Sequence, residues 1–326
     1  MTEPIDKIEG TELSPEQPTV EGELVIAEEH ASDAKGMKEK NIQTVSKKQR
    51  VGKIFVQIGL YTFLTVMAVV VLFPFYWMLM SSVKTIEEYE LSVPTLWPQT
   101  FRWETYKIAF DNINFGRVFL NTAFVGIVST ILSLIITVLS AYAFAKFDFK
   151  GKNIMFAFLL ATMMIPGELF TITNYITTVA WFKWDNTFTI LIVPFLVSVF
   201  YIYLLRQNFM QIPNELYLAA KVDGTSDFKY LCKVMIPLSA PTLISITILK
   251  MMGSWNSYIW PKLVNTDKSY YLMTQALRMA NWGTEASVDL PAQMAAVVLV
   301  TVPLLIVFLL FRKYIIRGVS RSGIKG

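Results

Sequence analysis

Four stretches of this 326-residue chain, Ile54–Met80, Val118–Ala145, Asn186–Leu205 and Leu290–Phe311, contain no Asp, Glu, Lys or Arg, and the shortest of them has 20 residues. A bilayer core of roughly 30 Å is crossed by about 20 helical residues, so each run is long enough to span. Two further stretches carry a single charge each, Asn153–Phe182 with Glu168 and Leu238–Trp260 with Lys250. A span must satisfy its own backbone polar groups, which leaves the helix and the closed barrel. The alternating pattern of barrel strands is absent. The expectation is an all-α polytopic membrane protein with six transmembrane helices.

Charge placement orients those spans. Residues 1–34 hold ten acids and one base, and residues 35–53 hold seven bases and one acid. The acidic part has too few bulky apolar residues to build a core, and the basic part suits an anionic membrane surface. Residues 1–53 are therefore read as a disordered tail, 54–316 as the spanning domain and 317–326 as a short C-terminal tail. With six spans both termini share a side, and that side holds twenty Lys and Arg against eight on the other. By the positive-inside rule the termini and the 206–237 loop are cytoplasmic. No apolar run in the first fifty residues reads as a cleavable signal. The net charge of +4 implies no nucleic-acid partner.

The 213–241 stretch is polar between two apolar ones. It reads as a helix over about 214–222, a tight Asp223-Gly224 turn, a second helix over about 225–235 and a stop at Pro237. Gly224 accepts the left-handed conformation that closes the first helix, and Pro237 lacks the N–H that would continue the second. Such a helical hairpin beside a membrane domain is a surface for a partner to grip.

Enzymatic chemistry finds little to build on. The chain has one histidine, His30 in the acidic tail, and one cysteine, Cys232. A disulfide framework, a thiolate metal site or a nucleophile–base pair is not assembled from these. No Gly-x-x-x-x-Gly-Lys-Ser/Thr phosphate loop is present. The two charges inside spans are functional candidates because burying an ionisable group in lipid is costly. Glu168 follows the helix-breaking Pro166-Gly167 pair, and either lines an aqueous path or sits at the outer interface. Lys250 lies near the middle of its span, either facing a pore or held by a backbone carbonyl. Trp181, Trp184, Trp255, Tyr258 and Trp260 suit interfacial anchoring, with sugar stacking as the competing use. Pro74, Pro194 and Pro303 allow kinks within spans.

At this point the residues resemble a family, the MalG-like permeases of carbohydrate-uptake ABC importers. The hairpin is similar to the family's EAA loop, with Glu215-Leu216, Ala219-Ala220, Asp223-Gly224, Phe228, Pro237-Leu238 and Pro241 in the family's order. Met164-Ile165-Pro166, Leu204-Leu205-Arg206-Gln207, Trp255-Asn256, Trp260-Pro261 and the Gly-rich ending from Gly318 to Gly326 are further matches. One departure is Leu218, which stands where the family usually has the Glu of its motif; apolar docking through Leu216, Leu218 and Ala219 then replaces an ion pair.

The resemblance implies a type I ABC importer permease fold with a cytoplasmic coupling loop at 206–241. It implies a MalF-like second permease, two ATPase subunits docked on this loop and an extracytoplasmic sugar-binding protein. This chain then binds no cofactor of its own; ATP and Mg are used by the ATPases. Glu168, Lys250, Trp255 and Asn256 are the candidates for the translocation path. The 261–289 loop, through Tyr270, Tyr271 and Trp282, is the candidate contact with the binding protein.

Overall fold

The computed structural model describes residues 47–283 and 288–320, with side chains at 54, 56–283 and 288–312. The acidic tail with His30, Glu285 and the last six residues of the Gly-rich ending lie outside the described residues. The described part is helical, and its only β feature is an isolated bridge between Gly283 and Val288.

The chain divides after Val71 into two units. The first contains the start of the helix Lys47–Ser81, where Val56, Ile58, Leu60, Tyr61 and Phe63 are all exposed. Side chains apolar on every face suit lipid or a partner helix rather than water. The described helix includes Lys47–Lys53, inside the segment read as tail, and Lys47-Lys48-Gln49-Arg50 are good helix formers with no breaker among them.

In the second unit the helix Phe115–Lys146 is the centre of packing. Ser129, Thr130, Ser133, Thr137 and Ala141 are buried along it. Small side chains let neighbouring helices approach closely in a membrane, where lipid supplies no hydrophobic drive to associate. At Gly126 the approach is tightest: a Cβ there would lie 2.7 Å from the Met251 sulfur. Leu290–Ser320 packs in the same way through Ala292, Ala295 and Ala296, which are fully buried. The Trp255 indole N–H ties the Ala240–Trp255 helix to it by donating to the Val300 carbonyl at 3.2 Å.

Three of the six expected spans are continuous helices long and apolar enough to cross a membrane, Val56–Ser81, Phe115–Lys146 and Leu290–Arg312. The other three are bent pairs: Lys152–Thr162 with Gly167–Trp181 at 82°, Phe188–Phe195 with Val199–Met210 at 47°, and Asp227–Leu238 with Ala240–Trp255 at 80°. The count of six therefore holds only if each bent pair is one span. Pro166-Gly167 breaks the first pair and Pro194 lies in a 3₁₀ turn at the break of the second. Pro74 and Pro303 instead remain inside continuous helices.

Candidate functional site

The hairpin is built locally. Its first helix is Asn214–Val222, and Gly224 follows with φ of 67°. The Thr225 N–H donates to the Ala220 carbonyl at 2.9 Å and the Gly224 N–H to Lys221 at 3.1 Å. This is a Schellman closure, which requires the left-handed residue that glycine supplies. Ser226 caps the next helix, Asp227–Tyr230, by accepting from the Lys229 N–H.

The second arm does not stop at Pro237. It passes through a π-helical turn at Leu231–Met235 and a further turn at Ile236–Leu238, and the sharp bend comes at Ser239. In a regular α-helix the Pro237 ring would crowd the carbonyl four residues back. The wider π turn just before it, where the Ile236 N–H donates to Leu231, carries the chain past that clash.

Asp227 fastens the hairpin together. Its carboxylate accepts from Tyr217 Oη at 2.8 Å, Lys221 Nζ at 2.9 Å and, from the Phe115–Lys146 helix, Tyr142 Oη at 3.3 Å. Hydrogen bonds from Lys221 and Tyr217 hold the Asp227 carboxyl below its ordinary range, and the same bond raises the Lys221 ammonium. Tyr217 also meets the Tyr230 ring edge-on at 5.3 Å, above a core of Tyr142, Leu205, Phe209, Leu231 and Met235. The inner face is thus anchored while the outer face is left bare. Leu216 is 44%, Leu218 56%, Val222 88% and Phe228 69% exposed, and Glu215, Ala219 and Asp223 are exposed with them. Ala220 is half-buried against the core, and Pro237 is exposed. Asp227, Tyr217 and Tyr142 escaped sequence reasoning, since their meeting depends on a partner 85 residues away.

A second feature is a cavity of about 440 Å³ beside the break at Pro194. Its polar lining is Ser129, Ser198, Tyr201, Ser254, Ser257 and Lys250. Lys250 Nζ donates to the Phe195 carbonyl at 2.6 Å, at the end of the Val193–Phe195 turn that precedes Val199–Met210. Lys250 is thus held by a backbone carbonyl, and it lines this cavity. Phe195 meets Trp260 edge-on at 5.6 Å, and the Trp260 N–H donates to the Ile190 carbonyl at 2.9 Å.

The other path candidates are placed elsewhere. Glu168 and Asn256 are exposed and outside the cavity lining, and Trp255 is 5% exposed within a core. No ion pair joins Lys250 to Glu168 among the described residues. The aromatics of the 261–289 loop, expected as contact residues, differ in exposure. Tyr271 and Trp282 are each 8% exposed in one core with Trp255 and Met273, and only Tyr270 is half-exposed. Asn121 Nδ2 donates to the Ser269 and Tyr271 carbonyls, and the Met273 N–H donates to Thr122 Oγ1 at 2.8 Å. These bonds draw the segment onto the Phe115–Lys146 helix and turn its rings inward.

The chain is 30% identical over 80% of its length, and 87% of the other, to the diacetylchitobiose uptake system permease protein NgcG of Streptomyces coelicolor. It is 28% identical over 83% of its length, and 96% of the other, to the arabinooligosaccharides transport system permease protein AraQ of Bacillus subtilis. Its fold is similar, with a TM-score of 0.71 and 22% identity over 82% of this chain and 98% of the other, to a chain of a bacterial ABC transporter involved in the import of the acidic polysaccharide alginate. Residues 133–321, which include the hairpin, the cavity lysine and the last long helix, match a family of transport components. The chain belongs to the binding-protein-dependent transport system inner membrane component family.

Proposed function

We propose that this chain is one of two permease subunits of an ATP-driven importer of sugars or oligosaccharides. Family membership makes it part of a binding-protein-dependent transport system of the inner membrane. The sugar class is supported by relatives named for uptake of diacetylchitobiose and arabinooligosaccharides. A MalF-like permease completes the path, an extracytoplasmic sugar-binding protein delivers the solute, and two ATPases consume ATP with Mg.

The observation that carries the coupling role is the hairpin's outer face, where Leu216, Leu218, Val222 and Phe228 stand exposed on a scaffold fixed from behind by Asp227. Scattered exposed apolar residues are ordinary, but four on one rigid hairpin form a docking patch. Seated in an ATPase cleft, it converts ATP-driven closure into motion of the spans to which it is joined. Both termini and the hairpin then face the cytoplasm.

Reconstitution with the partner permease, ATPases and binding protein in proteoliposomes tests this. Saccharide uptake should need ATP on the hairpin's side; uptake without ATP would make the chain a secondary carrier. In a Cys232→Ser background, a cysteine at Ser226 should resist an impermeant thiol reagent added outside the cell, while one at Lys268 should react. The reverse pattern inverts the orientation.

A further inference from the structure

We propose that the cavity around Lys250 is a solute site selective for saccharides that bear a carboxylate, that is, uronic acids and their short oligomers. The proposal rests on the reading of the chain as a sugar-importer permease and assigns the substrate class to one of its cavities.

At about 440 Å³ the cavity falls within the roughly 300–1,000 Å³ of small-molecule sites. Its lining divides into two kinds of group. The hydroxyls of Ser198, Tyr201, Ser254 and Ser257 donate and accept, as a sugar's own hydroxyls require, while Ser129 behind them is buried and bonded to Ser254 and the Gly126 carbonyl. Trp260 and Phe195 supply the apolar wall that the C–H face of a pyranose needs. A neutral sugar would be satisfied by these alone.

Lys250 adds a charge that such a ligand does not use. Its ammonium has three donors and gives one to a neutral carbonyl, that of Phe195. No Asp or Glu lines the cavity, and no ion pair involves Lys250 among the described residues. A cation within a span is expensive unless something compensates it, and a carbonyl dipole compensates it only in part. A carboxylate in the cavity completes the pairing, with the remaining ammonium donors making charge-assisted hydrogen bonds to it. The holding carbonyl ends the 3₁₀ turn just before the break of the Phe188–Met210 pair, so the ammonium can turn towards a ligand without disrupting a regular α-helix.

The test uses the complex of both permeases and the ATPases in nanodiscs, titrated calorimetrically with digalacturonate and with lactose. Wild type should bind digalacturonate about tenfold or more tightly than lactose. Lys250→Met should lose that margin, bringing digalacturonate down to the affinity of lactose, while Lys250→Arg should keep most of it. A lysine that only braces the Phe195 carbonyl predicts a different result, with Lys250→Met impairing assembly or weakening both sugars alike. Equal affinity for the two sugars in wild type, no binding of digalacturonate, or an unaltered preference in Lys250→Met would each overturn the proposal. Because the wild-type comparison needs no variant, a misfolded mutant cannot shelter it. ATP-dependent uptake of neutral saccharides with no acid preference would sink this site and leave the importer reading intact; uptake independent of ATP would sink the importer reading itself.

Discussion

The 213–239 hairpin and the 256–283 segment are both connections between apolar helices, and both are rich in large apolar and aromatic residues. They dispose of them in opposite ways. In the hairpin, Asp227 and its tyrosines take the inner face, so Leu218, Val222 and Phe228 are turned outward. In the 256–283 segment, Asn121 and Thr122 on a distant helix capture the backbone, and Tyr271, Met273 and Trp282 are pulled inward. The polar contacts decide which face of a connection is left for a partner. Residue type by itself does not mark a docking surface.

The contrast is broken most directly at Trp282. A buried aromatic truncated to alanine leaves a cavity, so Trp282→Ala should destabilise the second unit by about 3–5 kcal/mol. Thermal unfolding in detergent should show it as a large fall in midpoint. A shift no bigger than that of an exposed-site variant would return Trp282 to the surface.

Gly224→Val is next. No atom lies within 4 Å of an added Cβ, so the penalty is backbone strain alone at φ of 67°. That strain is on the order of 1–3 kcal/mol, and if it falls wholly on coupling it corresponds to roughly a 5- to 150-fold loss. Sugar-stimulated ATP hydrolysis and uptake should drop together with membrane insertion intact. Normal transport by an assembled Gly224→Val complex would separate the hairpin from coupling.

Asp227→Ala should loosen the hairpin by about 1–2 kcal/mol, the lower part of the range for charged hydrogen bonds because the Lys221–Asp227 pair is partly exposed. A fluorophore on the exposed Cys232 reports this as increased mobility. The same probe reads the pH dependence. The Asp227 carboxyl is depressed in the fold, so its contribution is complete above the unfolded value near 3.9 and fades as pH falls through the folded one. Lys221 is raised, so its contribution is complete below an unfolded value near 10.4 and fades only as pH rises through the folded one. The signal should therefore be flat across neutral pH and change at both extremes; a transition near pH 6–7 would point to another group.

Leu218→Ala should have the smallest effect on stability, within about 0.5 kcal/mol, because the side chain is exposed. Its effect should appear in ATPase binding by the permease pair. Stability lost with binding retained would reverse the roles assigned to the two regions.

Much of this protein was determined by sequence alone, wherever the governing physics is local. Uncharged runs of bilayer length located the apolar segments, and Glu-Leu-x-Leu-Ala-Ala followed by Asp-Gly located a hairpin whose first helix is Asn214–Val222. Helix closure at Gly224 needed only the conformational freedom of one residue. What the tertiary structure decided are the features that depend on separated parts of the chain. The bend at Ser239 instead of Pro237 depends on a π turn that no residue pattern announces. The backbone at Tyr271 is held by Asn121, 150 residues earlier. The cavity at Lys250 exists because Ser129 and Ser254, on two different helices, meet Ser198 from the break before Val199. Burial and pairing are properties of neighbours in space, and a linear pattern specifies neighbours only within a few turns of helix.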